Sequence, residues 1–344
     1  MASEFRIIAV GASAGGIPAL ETFVAGLPSD LPAAVFVVMH MRDYQISCLP
    51  EIFDRKGPLP AALARDGEEV RSGRIYVARA GHHLLVDDGY VGVKAGPKEN
   101  RFRPSIDALF RSAAYTNRER VIGIILSGML GDGTSGLWTI KRFGGVTIVQ
   151  DPKEAPFDAM PLSALEQVEV DYTLPAGEIG PLVAGLSRTN PGGAVQLPDG
   201  ITERVRKEVE VAASEDSFSK AIMNFGELTP FTCPECHGTL ARIMEGTLLR
   251  YRCHTGHAFS ANALISGVTD SIEASLWNAL RAMEEGVMLL EHMATHLGSL
   301  SRAEEAKMFA QKAQKTRKRA LAMQAQAVQS GDNLICDHNG DVAS

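Results

Sequence analysis

An apolar run, Ile7-Ile8-Ala9-Val10, leads without a spacer into Gly11-Ala12-Ser13-Ala14-Gly15. A Gly-x-Ser-x-Gly segment at the exit of a strand holds a serine hydroxyl on a sharp strand-to-helix turn, where it can act as a nucleophile. Glycines on either side let the backbone turn tightly and leave room for a substrate carbonyl. A degraded dinucleotide-binding loop is the rival reading of Gly11 to Gly16. That fingerprint calls for glycine where Ser13 stands and for an acidic residue at the end of the next strand. The next strand, Ala33-Ala34-Val35-Phe36-Val37-Val38-Met39, is followed by His40 instead. A serine at one strand end and a histidine at the next is a hydrolase pattern.

Up to about Arg188 short apolar runs alternate with helical stretches, which predicts a doubly wound, mostly parallel α/β sheet covered by helices. Strands are expected at Phe5–Val10, Ala33–Met39, Arg74–Ala78, His83–Val86, Val121–Leu126 and Val146–Val149, the longer ones β-branched and apolar as doubly buried parallel strands are. Asp87-Asp88-Gly89 turns the chain into Tyr90–Lys94 as a hairpin. Helices are expected after Gly16, at Ser105–Thr116 and at Thr134–Phe143.

Three polar residues then stand at or just beyond buried strand ends: Ser13, His40 and Asp132. Sites form in the crevice outside the carboxyl ends of such strands, where side chains from several of them converge. Singly, each has an ordinary reading: a turn serine, a hydrogen-bonded bystander histidine, an aspartate capping the following helix. Their shared placement favours a nucleophile, a general base and an orienting acid.

Four separated segments carry a family resemblance: Gly11-Ala12-Ser13-Ala14-Gly15-Gly16, Met39-His40-Met41, Arg103-Pro104-Ser105-Ile106-Asp107, and Leu126-Ser127-Gly128-Met129-Leu130-Gly131-Asp132-Gly133. Over roughly residues 5 to 186 the chain resembles the CheB-type protein-glutamate methylesterase of bacterial chemotaxis. The resemblance implies a Ser-His-Asp triad that hydrolyses glutamate γ-methyl esters on chemoreceptor helices, with glutamine deamidation open at the same site. By motif position Ser13 is the nucleophile, His40 the base and Asp132 the orienting acid. The family's loop methionine maps to Met129, whose backbone N–H is expected as an oxyanion donor; Ala14, just after the nucleophile, is a second candidate. His82 and His83 follow Arg79-Ala80-Gly81 without a spacing that ties them to chemistry, which leaves only substrate contact open for them. Arg101 and Arg103 are read as ordinary exposed arginines, with contact to an acidic receptor segment as the alternative. The loop Pro156 to Met160 is expected to shape the mouth of the site.

Of the five cysteines, Cys48 and Cys336 stand alone, while Cys233, Cys236 and Cys253 cluster with His254 and His257. Two short ligand pairs around an intervening hairpin have the spacing of a tetrahedral zinc site. The expected ligands are Cys233, Cys236, Cys253 and His257, with His254 the rival for the fourth position. Four protein ligands leave no open position, so the zinc is read as structural, standing in for the core that so small a unit lacks. This region is also similar to a carboxy-terminal extension found on some methylesterases of the same family. No residue pattern calls for an organic cofactor.

These readings divide the chain into a catalytic domain at 1–190, a charged linker at 191–228 with at most one short helix, a zinc-ribbon-like unit at 229–262, a helical region at 263–330 broken near Gly298-Ser299, and a flexible tail at 331–344. Lys312–Arg319 reads as a solvated basic face. A net charge of -7 argues against nucleic acid or an anionic membrane as the main partner. Absence of a signal peptide or a 20-residue apolar span, together with clustered thiols, points to the cytoplasm and excludes membrane insertion. The implied partner is a methylated chemoreceptor or a related signalling protein. The familiar chemotaxis enzyme carries an amino-terminal receiver domain, for which no room precedes the first strand, so a separate, unknown regulator is expected. Two other classes stay open: a serine hydrolase of another ester or amide, and a non-enzymatic module that binds a signalling partner.

Overall fold

The computed structural model describes residues 5–41, 47–193, 195–197, 200–214 and 226–333. The isolated Cys336, Pro198 and Asp199 of one breaker cluster, and the tail from 334 onward lie outside them. Two compact units result, Met1–Leu264 and Ile265–Ser344.

The first unit is built on a seven-stranded sheet whose pairings are all parallel. Its strands are β1 (Arg6–Ala12), β2 (Ala33–Met39), β3 (Ala61–Leu63), β4 (Arg74–Val77), β7 (Val121–Ile125), β8 (Val146–Gln150) and β9 (Tyr172–Leu174), in the order β3-β4-β2-β1-β7-β8-β9. Between β4 and β7 the strands β5 (His83–Asp87) and β6 (Tyr90–Lys94) form the expected hairpin, a separate antiparallel pair. The chain winds outward from β1 through β2 in one direction and through β7 in the other. That reversal opens a crevice at the carboxyl end of β1.

Side chains of β1 alternate between two cores, as the two-residue period of a strand requires. Ile8, Val10 and Ala12 pack with Phe23 and Val24 of α1 (Gly16–Ala25), Phe53 of α2 (Leu49–Lys56) and Ile179 of α6 (Ala176–Ser187). Ile7 and Ala9 face Leu109 and Phe110 of α3 (Ile106–Asn117), Leu137 of α4 (Thr134–Arg142) and Met160 of α5 (Ala159–Gln167). The expected strands and helices of this region are present to within about two residues. The edge strands β3 and β9 escape a periodicity reading because three residues with little burial carry no pattern.

The segment expected to be a linker holds α7 (Ile201–Ala212), a packed helix with Val205, Val211 and Glu208 buried. Its charges misled the composition argument: Glu208 is matched by buried arginines of neighbouring elements instead of by water. Beyond it a four-stranded antiparallel sheet runs β10 (Glu227–Thr232), β11 (Thr239–Glu245), β12 (Leu248–Cys253) and β13 (Ala258–Ser260) in sequence order. Gly246, at φ +65°, turns the β11–β12 hairpin. This sheet belongs to the first unit, although a boundary was expected near residue 229.

The second unit is helical. The helix α8 (Ala261–Ser299) starts two residues before the helical region expected from 263, and the Ser260 hydroxyl accepts from the Ala263 amide and caps it. It ends at the expected break, and α9 (Ala303–Asn333) follows, reaching into the stretch expected to fray. Lys312, Lys315 and Arg317 to Arg319 lie exposed along α9. Among the described residues, no helix is long and apolar enough to cross a membrane.

Candidate active site

The crevice at the end of β1 brings together Ser13, His40 and Asp132, which are 27 and 92 positions apart along the chain. Ser13 sits just past β1, where its amide donates to the Ser127 carbonyl at 2.9 Å. The left-handed conformation of this turn falls on Gly15, at φ +68°, so the strain of the turn is carried by a residue without a Cβ. Gly128 lies so close that a Cβ there would meet the Cβ of Ser13 at 2.8 Å. Any larger residue at 128 would also meet Met160 Sδ, at 2.1 Å, and so crowd both sides of the serine turn.

His40 follows β2. Its Nε2 lies 2.7 Å from Asp132 Oδ2 and its Nδ1 lies 3.1 Å from Ser13 Oγ. A carboxylate accepts only, so Nε2 carries the proton and Nδ1 presents its lone pair to the serine hydroxyl. That tautomer is the one a general base needs. The imidazole stacks on Phe102, with ring centroids 3.7 Å apart and planes 7° from parallel.

Asp132 is 1% exposed, and it does not cap α4, whose N-cap is Gly133. Instead its carboxylate collects donors. Oδ2 accepts from the Ile106 amide at 2.8 Å; Oδ1 accepts from Ser105 Oγ at 3.0 Å and Asn100 Nδ2 at 2.8 Å. Burial alone would raise its pKa, but the hydrogen bonds from His40, Ile106 and Asn100 outweigh burial and hold the group low. Asp107 responds in the opposite direction, pushed up by burial and then by the Asp132 charge. Two neighbouring acids are thus driven apart, Asp132 downward and Asp107 upward.

His83 is completely buried, so the substrate contact left open for it is excluded. Its Nε2 donates to the Pro97 carbonyl at 2.8 Å and its Nδ1 accepts from the Ser105 amide at 3.2 Å, which fixes the turn leading into α3. Arg103 is likewise not a free surface group: its guanidinium donates to the Ala95 and Gly96 carbonyls, both at 2.8 Å. The Pro156 to Met160 loop does border the serine. The Phe157 carbonyl accepts from the Gly128 amide, the Met160 amide donates to the Gly128 carbonyl, and Phe157 is 43% exposed. Met129 is 55% exposed. Among the described residues, neither the Ala14 nor the Met129 amide has an acceptor, which leaves both available to an incoming oxygen.

Asn100, Phe102 and Ser105 were not legible as site residues. Asn100 and Phe102 lie on no strand end, and their roles arise from a loop folded back over the crevice. Ser105 offers a signal in retrospect, a hydroxyl directly before a helix whose first amides point at Asp132.

Cys233, Cys236, Cys253 and His257 converge in the antiparallel sheet, with their ligand atoms all within 4.8 Å of one another. Cys236 Sγ to Cys253 Sγ is 3.6 Å, Cys233 Sγ to His257 Nδ1 is 3.7 Å, and Cys253 Sγ to His257 Nδ1 is 3.6 Å. Metal–sulfur bonds of about 2.3 Å in a tetrahedron set sulfurs about 3.8 Å apart, so the donor set and its spacing fit zinc. His254 is outside this group, exposed and facing Gly238.

Comparisons with known proteins bear on the family and the fold. A relative in Leptospira interrogans (serovar copenhageni, strain Fiocruz L1-130) is 36% identical over 188 residues, 54% of this chain and 97% of that one. The protein-glutamate methylesterase/protein-glutamine glutaminase 2 of Anaeromyxobacter dehalogenans is 36% identical over 187 residues, 54% of this chain and 55% of the relative. The chain thus spans about half the length of that relative. The crystal structure of the Thermotoga maritima CheB methylesterase catalytic domain superposes with a TM-score of 0.51 at 33% identity, covering 53% of this chain and 99% of that one. The CheB methylesterase family model matches residues 8–183, just over half of the 344 residues, and the chain belongs to that family.

Proposed function

We propose that this chain is a protein-glutamate methylesterase, with protein-glutamine deamidation as a second activity of the same site, acting on methylated chemoreceptors or a related signalling protein. The observation that carries this reading is the unbroken line from Ser13 Oγ through His40 to Asp132 at the mouth of the crevice. As the ester binds, Ser13 Oγ attacks the γ-carbonyl carbon and passes its proton to His40 Nδ1. Asp132 keeps the Nε2 proton in place and stabilises the imidazolium. The oxyanion is taken by the Met129 and Ala14 amides, each such donor being worth about 2.7–4 kcal/mol of barrier. Nδ1 then protonates the leaving methoxide, methanol departs, and water drawn up by the same nitrogen releases the glutamate. An amide substrate follows the same steps with ammonia leaving.

The exposed Met129 and Phe157 beside the serine suit a receptor segment that presents one side chain to the crevice. Residues 1–190 would carry the chemistry and 229–262 the metal. Cys233, Cys236, Cys253 and His257 would hold a structural zinc, which supplies cross-linking and no reactive position. Four free thiols among the described residues are in keeping with a cytoplasmic protein. Methanol release from receptor membranes labelled with tritiated methyl groups tests the reading. Release that depends on Ser13 is expected, and no release from the zinc-loaded wild type would overturn it.

A further inference from the structure

The loop from Glu99 to Phe102 lies between the triad and the Cys/His sheet and is bonded to both. Asn100, 3% exposed, spends its side chain on the triad side: one amide group donates to Asp132 Oδ1 and to Asp107 Oδ2, both at 2.8 Å. Its remaining groups are held from β13. The Asn100 amide donates to the Ala258 carbonyl at 2.7 Å, and Asn100 Oδ1 accepts from the Ser260 amide at 2.7 Å. The backbone here is left-handed, φ +50° at Asn100 and +74° at Arg101, a conformation that surrounding bonds must maintain. Phe102, closing the loop through reciprocal amide–carbonyl bonds with Glu99, is the ring on which His40 stacks.

The anchors of this loop are next in sequence to the metal-binding side chains. Ala258 follows His257, and Arg252 precedes Cys253. Arg252 is fully buried, ion-paired with Glu99 at 2.7 Å, and donates to the Gly256 carbonyl inside the Cys253–His257 turn. One bonded path therefore runs from the metal cluster through β12 and β13 to Glu99 and Asn100, and from there to Asp132 and His40.

We propose that Asn100 is a positioning residue of the triad and that metal in the Cys233/Cys236/Cys253/His257 site sets its position, so that metal loading controls turnover. This deepens the methylesterase reading and rests on it. Without metal, the 253–257 turn loses its cross-link, the two β13 bonds to Asn100 weaken, and Asp132 loses a buried donor. A hydrogen bond to a charged group has a strength that corresponds to roughly a 10–100-fold change in rate.

The test uses the full chain with zinc alone as the probe and two readouts. One is kcat and KM for methanol release; the other is the proton resonance of His40 Nε2–H bonded to Asp132, which needs no substrate. Chelation of the wild type is expected to lower kcat about 10–100-fold at unchanged KM and to shift or broaden that resonance, with zinc titration restoring both. Asn100→Asp preserves shape, left-handed tolerance and the acceptor for Ser260, but removes the donors and adds a third carboxylate. It is expected to reproduce the loss of kcat and to make it insensitive to zinc. Cys236→Ser should match the chelated wild type; if that variant does not fold, zinc titration of the chelated wild type reads the same coupling in one sample. An unchanged kcat and resonance on zinc removal, or in Asn100→Asp, would overturn the proposal. Failure of the underlying reading is distinguishable: the zinc-loaded wild type would release no methanol, while the resonance would still report whether zinc moves the triad.

Discussion

The serine crevice and the Cys/His cluster are assembled in opposite ways. The crevice draws its three principal residues from the ends of distant strands, and the cluster takes its four from a stretch of 25 residues. In the crevice, rigid parallel strands fix each side chain, and Asp132 is held by buried donors from the loop and helix beside it. In the cluster the local sheet is small, and the apolar core around the thiols is Cys233, Leu240, Tyr251, Cys253, Phe259, Ala263 and Leu264. A large core can hold polar groups at a set geometry by packing; a small one needs covalent or coordinate bonds to do so. The difference teaches that packing holds the residues of the first region in place, whereas the second has its geometry only while its ligands are tied.

The largest expected effect breaks the comparison on the crevice side. Ser13→Ala should lower methanol release about 10⁴–10⁶-fold, as removal of a triad nucleophile does, with metal content and thermal midpoint unchanged in the same preparation. A comparable loss of metal would mean that the two regions are not separately built.

Cys233→Ser should act the other way round. Metal stoichiometry by mass spectrometry falls from one to near zero and the thermal midpoint drops, while turnover falls only about 10–100-fold through the Asn100 path. If this variant stays folded and is as inactive as Ser13→Ala, the metal is not structural.

The seam between the regions gives a smaller, pH-dependent effect. Burial alone would raise the Glu99 carboxyl, but Arg111, Arg252 and Arg250 outweigh it and hold the group at about 2. Since this folded-state value lies below the unfolded value of about 4.5, the stabilisation is complete above that pH and drains as pH falls through about 2. Glu99→Gln leaves buried Arg111 and Arg252 to share the carboxylate of Glu208 and should cost about 3 kcal/mol at neutral pH. Urea titrations at pH 7 and pH 2.5 check this: the gap between variant and wild type should narrow in acid, and a constant gap would sink the assignment.

The smallest effect lies outside both regions. Lys315→Ala, on the exposed face of α9, should change stability by less than about 0.5 kcal/mol and leave turnover unaltered. A measurable loss of turnover would show that α9 takes part in the site.

Ser13, His40 and Asp132 were legible because each stands where a buried strand ends, and strand ends are visible as apolar runs that stop. Cys233, Cys236, Cys253 and His257 were legible as a cluster because their spacing is local, and it is His257, not His254, that lies beside the three thiols. Asn100, Phe102 and the packed face of α7 were not. Glu208 fell in the stretch expected to be a charged linker and Arg252 in the zinc-ribbon-like unit, and only their partners, 42 to 153 positions away, make them interior groups.

The amino-acid sequence by itself determined the parallel sheet, the residues at its crevice and the Cys/His cluster, because periodicity and spacing are properties of the local chain. Tertiary structure alone decided which ring nitrogen of His40 faces the serine, which acid of the pair Asp107 and Asp132 has its pKa held down, and that Asn100 bonds both to Asp132 and to β13. Those outcomes depend on burial and on bonds between segments brought together by folding, for which no single stretch of sequence carries a signature.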